Sequence, residues 1–166
     1  MPKKVPKKGF YWHVHHKVLL EWCYDYDKRV EFIRVKKYKS ELDLRLKLFQ
    51  PIKGELPKEF VRAGQAYNKA WQADNDMCQV YDKVKQALYK AEQTYDVNQS
   101  KKNKDKVKVL RQAYNKAARA HDRMWQVYNQ AKQVYRNALT NNTKLINKLH
   151  SLECPNCPWG GETIFP

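Results

Sequence analysis

The sequence predicts an all-α protein: a long antiparallel coiled-coil helical hairpin carrying a small helical N-terminal head. Three observations lead there. The stretch "AYNKAWQADNDMCQVY" at 66–81 returns as "AYNKAARAHDRMWQVY" at 113–128, and 13 of 26 positions agree between 66–91 and 113–138. Both copies carry apolar residues at alternating spacings of four and three, the heptad pattern of a coiled coil. No Gly or Pro interrupts the chain between residues 65 and 154, so nothing there punctuates a helix.

Taken in order, residues 1–9 ("MPKKVPKKG") read as a basic flexible tail, with no apolar run after the lysines to make a secretory signal. Residues 10–56 form the head. Val18, Trp22, Tyr26, Val30 and Ile33 share one helical face, with Leu19 and Cys23 beside it, which predicts a helix over 15–36. "SELDLRLKLF" (40–49) alternates like a strand. Ser40 followed by Asp43 nevertheless looks like a helix start, and no partner strand is evident, so a short helix is expected.

The hairpin occupies 57–153, with Pro57 placed to begin the first arm. Its seam reads as Ala66, Ala70, Ala73, Met77, Val80, Val84, Ala87 and Ala91 against Ala113, Ala117, Ala120, Met124, Val127, Ala131, Val134 and Ala138, with Leu145 and Leu152 extending the stripe. Tyr67, Tyr81, Tyr95, Tyr114, Tyr128 and Tyr135 would then flank the seam, rings over it and hydroxyls in water; stacking on exposed bases is the other use for such a stripe. The 47-residue offset between copies is not a multiple of seven, which excludes one unbroken register. A turn near 98–106 ("NQSKKNKDK") folds the arms together; the rival is one bent helix that pairs with a second chain. A monomeric hairpin and a homodimer are both compatible with this.

Residues 154–166 hold the clearest chemistry. Cys154 and Cys157 form a CxxC pair, with His150 one helical turn earlier. Two thiolates at this spacing can grip one tetrahedral ion such as zinc. Folding back would bring residue 150 beside the head, where Cys23, or one of His13, His15 and His16, could complete the set with His150, Cys154 and Cys157. Packed reduced thiols with Trp159 as a plug, or a disulfide, which an intracellular location disfavours, are the alternatives. "HVH" has a chelating spacing but lacks the Asp that usually accompanies a hydrolytic pair. Cys78 reads as packing. No phosphate loop, nucleophile elbow or isolated carboxylate pair is present, so no enzyme is expected.

Charge completes the reading. The chain carries 33 Lys and Arg against 17 Asp and Glu, a formal net charge of +16. Residues 66–100 hold 4 basic and 5 acidic side chains, whereas 101–153 hold 13 and 3. Lys101, Lys102, Lys104, Lys106, Lys108, Arg111, Lys116, Arg119, Arg123, Lys132 and Arg136 thus make the second arm a one-sided cationic strip. Such a strip suits a phosphate backbone, with nucleic acid or a ribonucleoprotein as the expected partner. An interaction coiled coil, or an inhibitor of a host protein with charge serving solubility, is the alternative. No run of about 18 apolar residues exists, and a cytoplasmic, intracellular location is expected.

The Tyr/Lys/Ala heptads with the opening "YWHVHH…EWC" and the ending "ECPNCPWGGETIFP" resemble a family of uncharacterised proteins from phages, prophages and environmental samples. The resemblance spans most of the chain, and its specific part lies at the two ends. It implies a mobile-element protein that acts by binding, and it carries over no functional residues.

Overall fold

The computed structural model describes residues 5–165. Lys3 and Lys4 of the basic tail lie outside them. In chain order the elements are β1 (Gly9–Trp12), β2 (Leu20–Cys23), α1 (Tyr26–Lys36), α2 (Lys39–Leu48), β3 (Gln50–Pro51), α3 (Lys58–Val97), α4 (Lys101–Asn141) and α5 (Thr143–Glu153). They divide into two units. One joins the residues up to Phe60 with those from Leu139 onward; the other runs from Val61 to Ala138.

The head is not purely helical. Its three strands form a small antiparallel sheet in the order β2-β1-β3, with Phe10 opposite Trp22, Tyr11 opposite Glu21 and Trp12 opposite Gln50. The helix predicted over 15–36 therefore starts late. Phe10 meets Trp22 edge to face at 5.1 Å, a cross-strand aromatic pair of the kind that stabilises a sheet. Helix α1 begins only after Asp25, whose carboxylate accepts the backbone N–H of Lys28 at 3.1 Å. That cap satisfies a donor the first turn would otherwise leave open.

Helix α2 is the short helix expected over the alternating leucines. Leu42 and Leu46 pack on a core of Tyr11, Val14, Cys23, Ile33 and Phe49. On the same helix Arg45 is buried and binds Glu41 with Nε at 2.8 Å and Nη2 at 2.7 Å. The tail is also more tied than expected. Lys7 pairs with Asp27 at 2.9 Å, its carbonyl accepts the N–H of Tyr26, and the Tyr11 hydroxyl donates to the carbonyl of Pro6.

In the second unit α3 and α4 pack as an antiparallel hairpin. Residues 98–100 make the turn without glycine. Asn98 Oδ1 accepts from Ser100 N–H at 3.2 Å, Ser100 Oγ caps α4 by accepting from Asn103 N–H at 3.3 Å, and Asn103 Nδ2 donates back to the Asn98 carbonyl at 2.7 Å. Amide and hydroxyl side chains thus supply partners for three of the backbone groups left open where the helices end.

Half of the predicted seam holds: Ala70, Ala91, Ala117 and Ala138 are buried and Met77, Val84, Met124 and Ala131 half-buried. Most of the other half faces outward, as do Leu145 and Leu152 at its end. Ala66, Ala73, Val80, Ala113, Val127 and Val134 are exposed, Val80 by 48% and Val127 by 49%. The tyrosines occupy the seam itself. Tyr67 Oη lies 3.4 Å from Tyr128 Oη, Tyr81 Oη lies 2.8 Å from Tyr114 Oη, and the Tyr67 and Tyr135 rings stack at 5.3 Å. With Ala70, Ala91, Ala117 and Ala138 buried, large rings alternate with methyl groups, and the rings fill space that alanine alone would leave. The hydroxyls of the Tyr67–Tyr128 and Tyr81–Tyr114 pairs bond each other, so these four rings are used in packing between the helices.

The second arm also ends early. Helix α4 stops at Asn141. Asn142 takes a non-helical backbone and donates its side-chain amide to Glu59 at 2.6 Å. Helix α5, expected as the last part of the arm up to 153, belongs with the head instead. Among the described residues, no helix is long and apolar enough to cross a membrane.

The observed seam can be checked by paired substitutions. Tyr81→Ala should cost about 1–3 kcal/mol of unfolding free energy, as loss of a packed ring does. Val80→Gln, one residue away, should stay within about 0.5 kcal/mol. Urea midpoints of the two variants decide between the seams.

Candidate metal centre

Glu153, the last residue of α5, determines where that helix lies within the first unit. Its carboxylate accepts from Trp12 Nε1–H at 3.0 Å and from the backbone N–H groups of Lys53 and Gly54. Gly54 suits the close approach: a Cβ there would fall 2.5 Å from Leu149 Cδ1 and 3.0 Å from the Glu153 carboxylate. One turn earlier on α5, His150 is buried and meets the Trp12 ring edge to face at 5.1 Å.

His13 follows Trp12 with φ 51°, a left-handed conformation that an L-residue adopts at some cost. Successive side chains of a regular strand point to opposite faces. Here Trp12 and His13 both touch the His150 ring, His13 at 5.1 Å between centroids. His13 Nε2 lies 3.0 Å from His150 Nε2 and 3.3 Å from Cys157 Sγ. The three donor atoms all lie within 4.8 Å of one another. A tetrahedral zinc ion holds two imidazole nitrogens about 3.3 Å apart and a nitrogen and thiolate about 3.6 Å apart. The donor set and its spacing fit such an ion.

Cys157 reaches this position through a tight turn. Its N–H donates to the Cys154 carbonyl at 3.1 Å, and Asn156 takes φ 63°, which Asn tolerates better than most residues. Cys154 is buried and its sulfur accepts from Gln50 Nε2 at 2.9 Å. It lies beside the triad, outside the group of mutually close donors. Burial pushes both thiols up, opposed at Cys154 by the Gln50 amide. The closing residues complete the unit: Trp159 lies 5.4 Å from the His13 ring, Ile164 donates its N–H to the His16 carbonyl at 3.0 Å, and Arg45 sits 4.9 Å over the Phe165 ring.

The other predicted ligands are elsewhere. Cys23 belongs to the head core beside Tyr11 and Ile33, with its thiol pushed up by burial. His15 bonds Glu21 at 2.6 Å at the surface, so the two histidines of "HVH" part company. His16 lies against Arg45 and Phe165. Glu153 and Gln50 were not singled out by sequence reasoning. The adjacency of Glu153 to the CxxC was the available signal.

The predicted cationic residues all lie in α4, within the second unit. Lys101, Lys102, Lys104, Lys106, Lys108, Arg111, Lys116, Arg119, Arg123 and Arg136 are all exposed, while Lys132 is half-buried with its ammonium 5.5 Å over the Tyr128 ring. Arg111 pairs with Glu92 of α3. Helix α4 carries eleven cationic residues against two carboxylates, and α3 six of each. Compared with family models, with curated proteins and with solved structures, the chain matches none.

The two histidines make the metal-free head sensitive to acid. Burial and the neighbouring His150 push His13 from 6.5 down to about 4, and burial also lowers His150. Both rings therefore fold neutral, while the unfolded chain takes up protons as pH drops below about 6.5. Stability should be complete above that value and fall as pH approaches 4. Urea unfolding of metal-depleted protein across this window should show the loss, and His13→Gln should flatten it.

Proposed function

We propose that this chain is a non-enzymatic nucleic-acid-binding protein, of the mobile-element kind its two ends resemble, with a zinc ion closing its head. The observation that carries the binding reading is the exposed cationic surface of α4, set against the charge balance of α3. Ten exposed Lys and Arg side chains on a single helix match the repeated charge of a phosphate backbone, and binding would release condensed counterions. Tyr67, Tyr81, Tyr114 and Tyr128 are packed in the seam, so the binding expected from the cationic surface is contact to phosphate, which carries no base-sequence information.

Zinc is supported by the donor set of His13, His150 and Cys157, with Cys154 as the adjoining thiol. Mixed imidazole and thiolate donors favour zinc over magnesium or calcium. Its role is structural: it joins the first strand to the C-terminal turn, which are far apart in sequence. Cys157 must lose its proton to bind, so uptake should weaken as pH falls.

Two measurements test this reading. Anisotropy of labelled duplex DNA or single-stranded RNA should give a steep fall of affinity with salt, and Arg119→Glu with Arg123→Glu should flatten the slope by about two phosphates. No binding at low salt removes the nucleic-acid reading. Separately, chelation should lower the melting temperature by several degrees, and Cys157→Ser should abolish that response. A melting temperature indifferent to chelator removes the zinc from the head.

A further inference from the structure

We propose that the hairpin contains a second metal site, formed by Asp74 and Cys78 of α3 with His121 of α4, for a borderline divalent cation of the zinc type. One donor atom from each of the three lies within 4.8 Å of the other two. The set mixes carboxylate, thiolate and imidazole, the three donor types zinc accepts. Asp74 and Cys78 are four residues apart on one helix, so they share a face.

The second observation is the state of Asp74. It sits in the seam at 8% exposure, and its Oδ1 is buried with no hydrogen-bond partner. A carboxylate in that condition is costly unless a cation or donor meets it. Cys78 and His121 are half-buried, which leaves an approach for an ion. The His121 ring is held against Tyr81 at 5.4 Å and 21°, so its orientation is fixed by packing.

The duplication shows how unusual this layer is. The tyrosine pairs Tyr67–Tyr128 and Tyr81–Tyr114 each have residue numbers totalling 195, which defines the antiparallel register. The repeat offset is 47 residues. Equivalent positions of the two copies therefore face each other at one level only, that of Asp74 and His121. At the levels on either side the repeat keeps tyrosine in both copies. Where the copies meet their own equivalents, it has become an acid and a base, with Cys78 one turn on in place of the tryptophan at 125. A polar layer that merely sets register is the competing explanation, and it would leave no need for the thiol.

The test is metal content of the full-length chain after zinc loading and gel filtration. We expect about two equivalents per chain, falling to about one in the Asp74→Asn/Cys78→Ser double variant and to about one in a His150→Ala/Cys157→Ser variant. Far-UV circular dichroism of each variant confirms that the helices persist. A wild-type chain holding one ion that survives the head substitutions and is lost with Cys78 would uphold the hairpin site and remove the head site. A count unchanged by Asp74→Asn/Cys78→Ser overturns the proposal, whatever the head does. Cobalt gives an independent readout: the thiolate-to-metal absorption remaining in the His150→Ala/Cys157→Ser variant should disappear on further Cys78→Ser substitution. Its persistence would count against the site.

Discussion

The carboxylate of Glu153 holds three donors from two parts of the head: an indole N–H on β1 and two backbone N–H groups in the loop after β3. Charge-assisted bonds of this kind are roughly twice as strong as neutral ones. Because they are made at the last residue of α5, they determine both which turn of that helix faces the strand and where the following CxxC begins. His150 is then placed against Trp12 and His13, and the Cys154–Cys157 turn closes over them. The donor cluster follows from that docking, with the left-handed backbone of His13 supplying the remaining adjustment.

In the hairpin the governing constraint is volume. Two helices whose seam held only Ala and Val would bury little apolar area. Placing tyrosine at alternate seam positions restores the area, and pairing the hydroxyls across the interface satisfies the polar ends that come with it. The exposed valines beside the seam leave a wider apolar stripe than two helices can cover. The cations lie outside that stripe on α4, so solvation and packing occupy different faces of the same helix.

Much of the hairpin was legible because its evidence is local: a repeat, a heptad period and a break in composition. Its register was harder to read. Ala66, Ala73 and Val80 are as apolar as Ala70, Met77 and Val84, and tyrosine is amphipathic enough to read as a flanking residue. Only the partner helix distinguishes the two stripes. The head misled for the opposite reason. Val18, Trp22 and Tyr26 fall at helical spacing, but Trp22 is claimed by Phe10 across a sheet, a contact that no periodicity reports. Asp25 was the local sign of where the helix begins. At the metal centre the CxxC and His150 were readable from spacing alone. His13, 137 residues from His150, could only be chosen over Cys23 once the core had taken the cysteine.

The single level at which the two copies face their own equivalents has a consequence for how such a chain can change length. Lengthening one arm alone next to the turn would carry every tyrosine past its partner and open the seam. Lengthening both by one heptad together preserves the pairing, and the level of Asp74 and His121 stays where it is if the addition falls at the turn. A hairpin of this design therefore has a ruler: it grows in matched steps measured outward from its polar centre, and any descendant that deviates from the step must rebuild its interface.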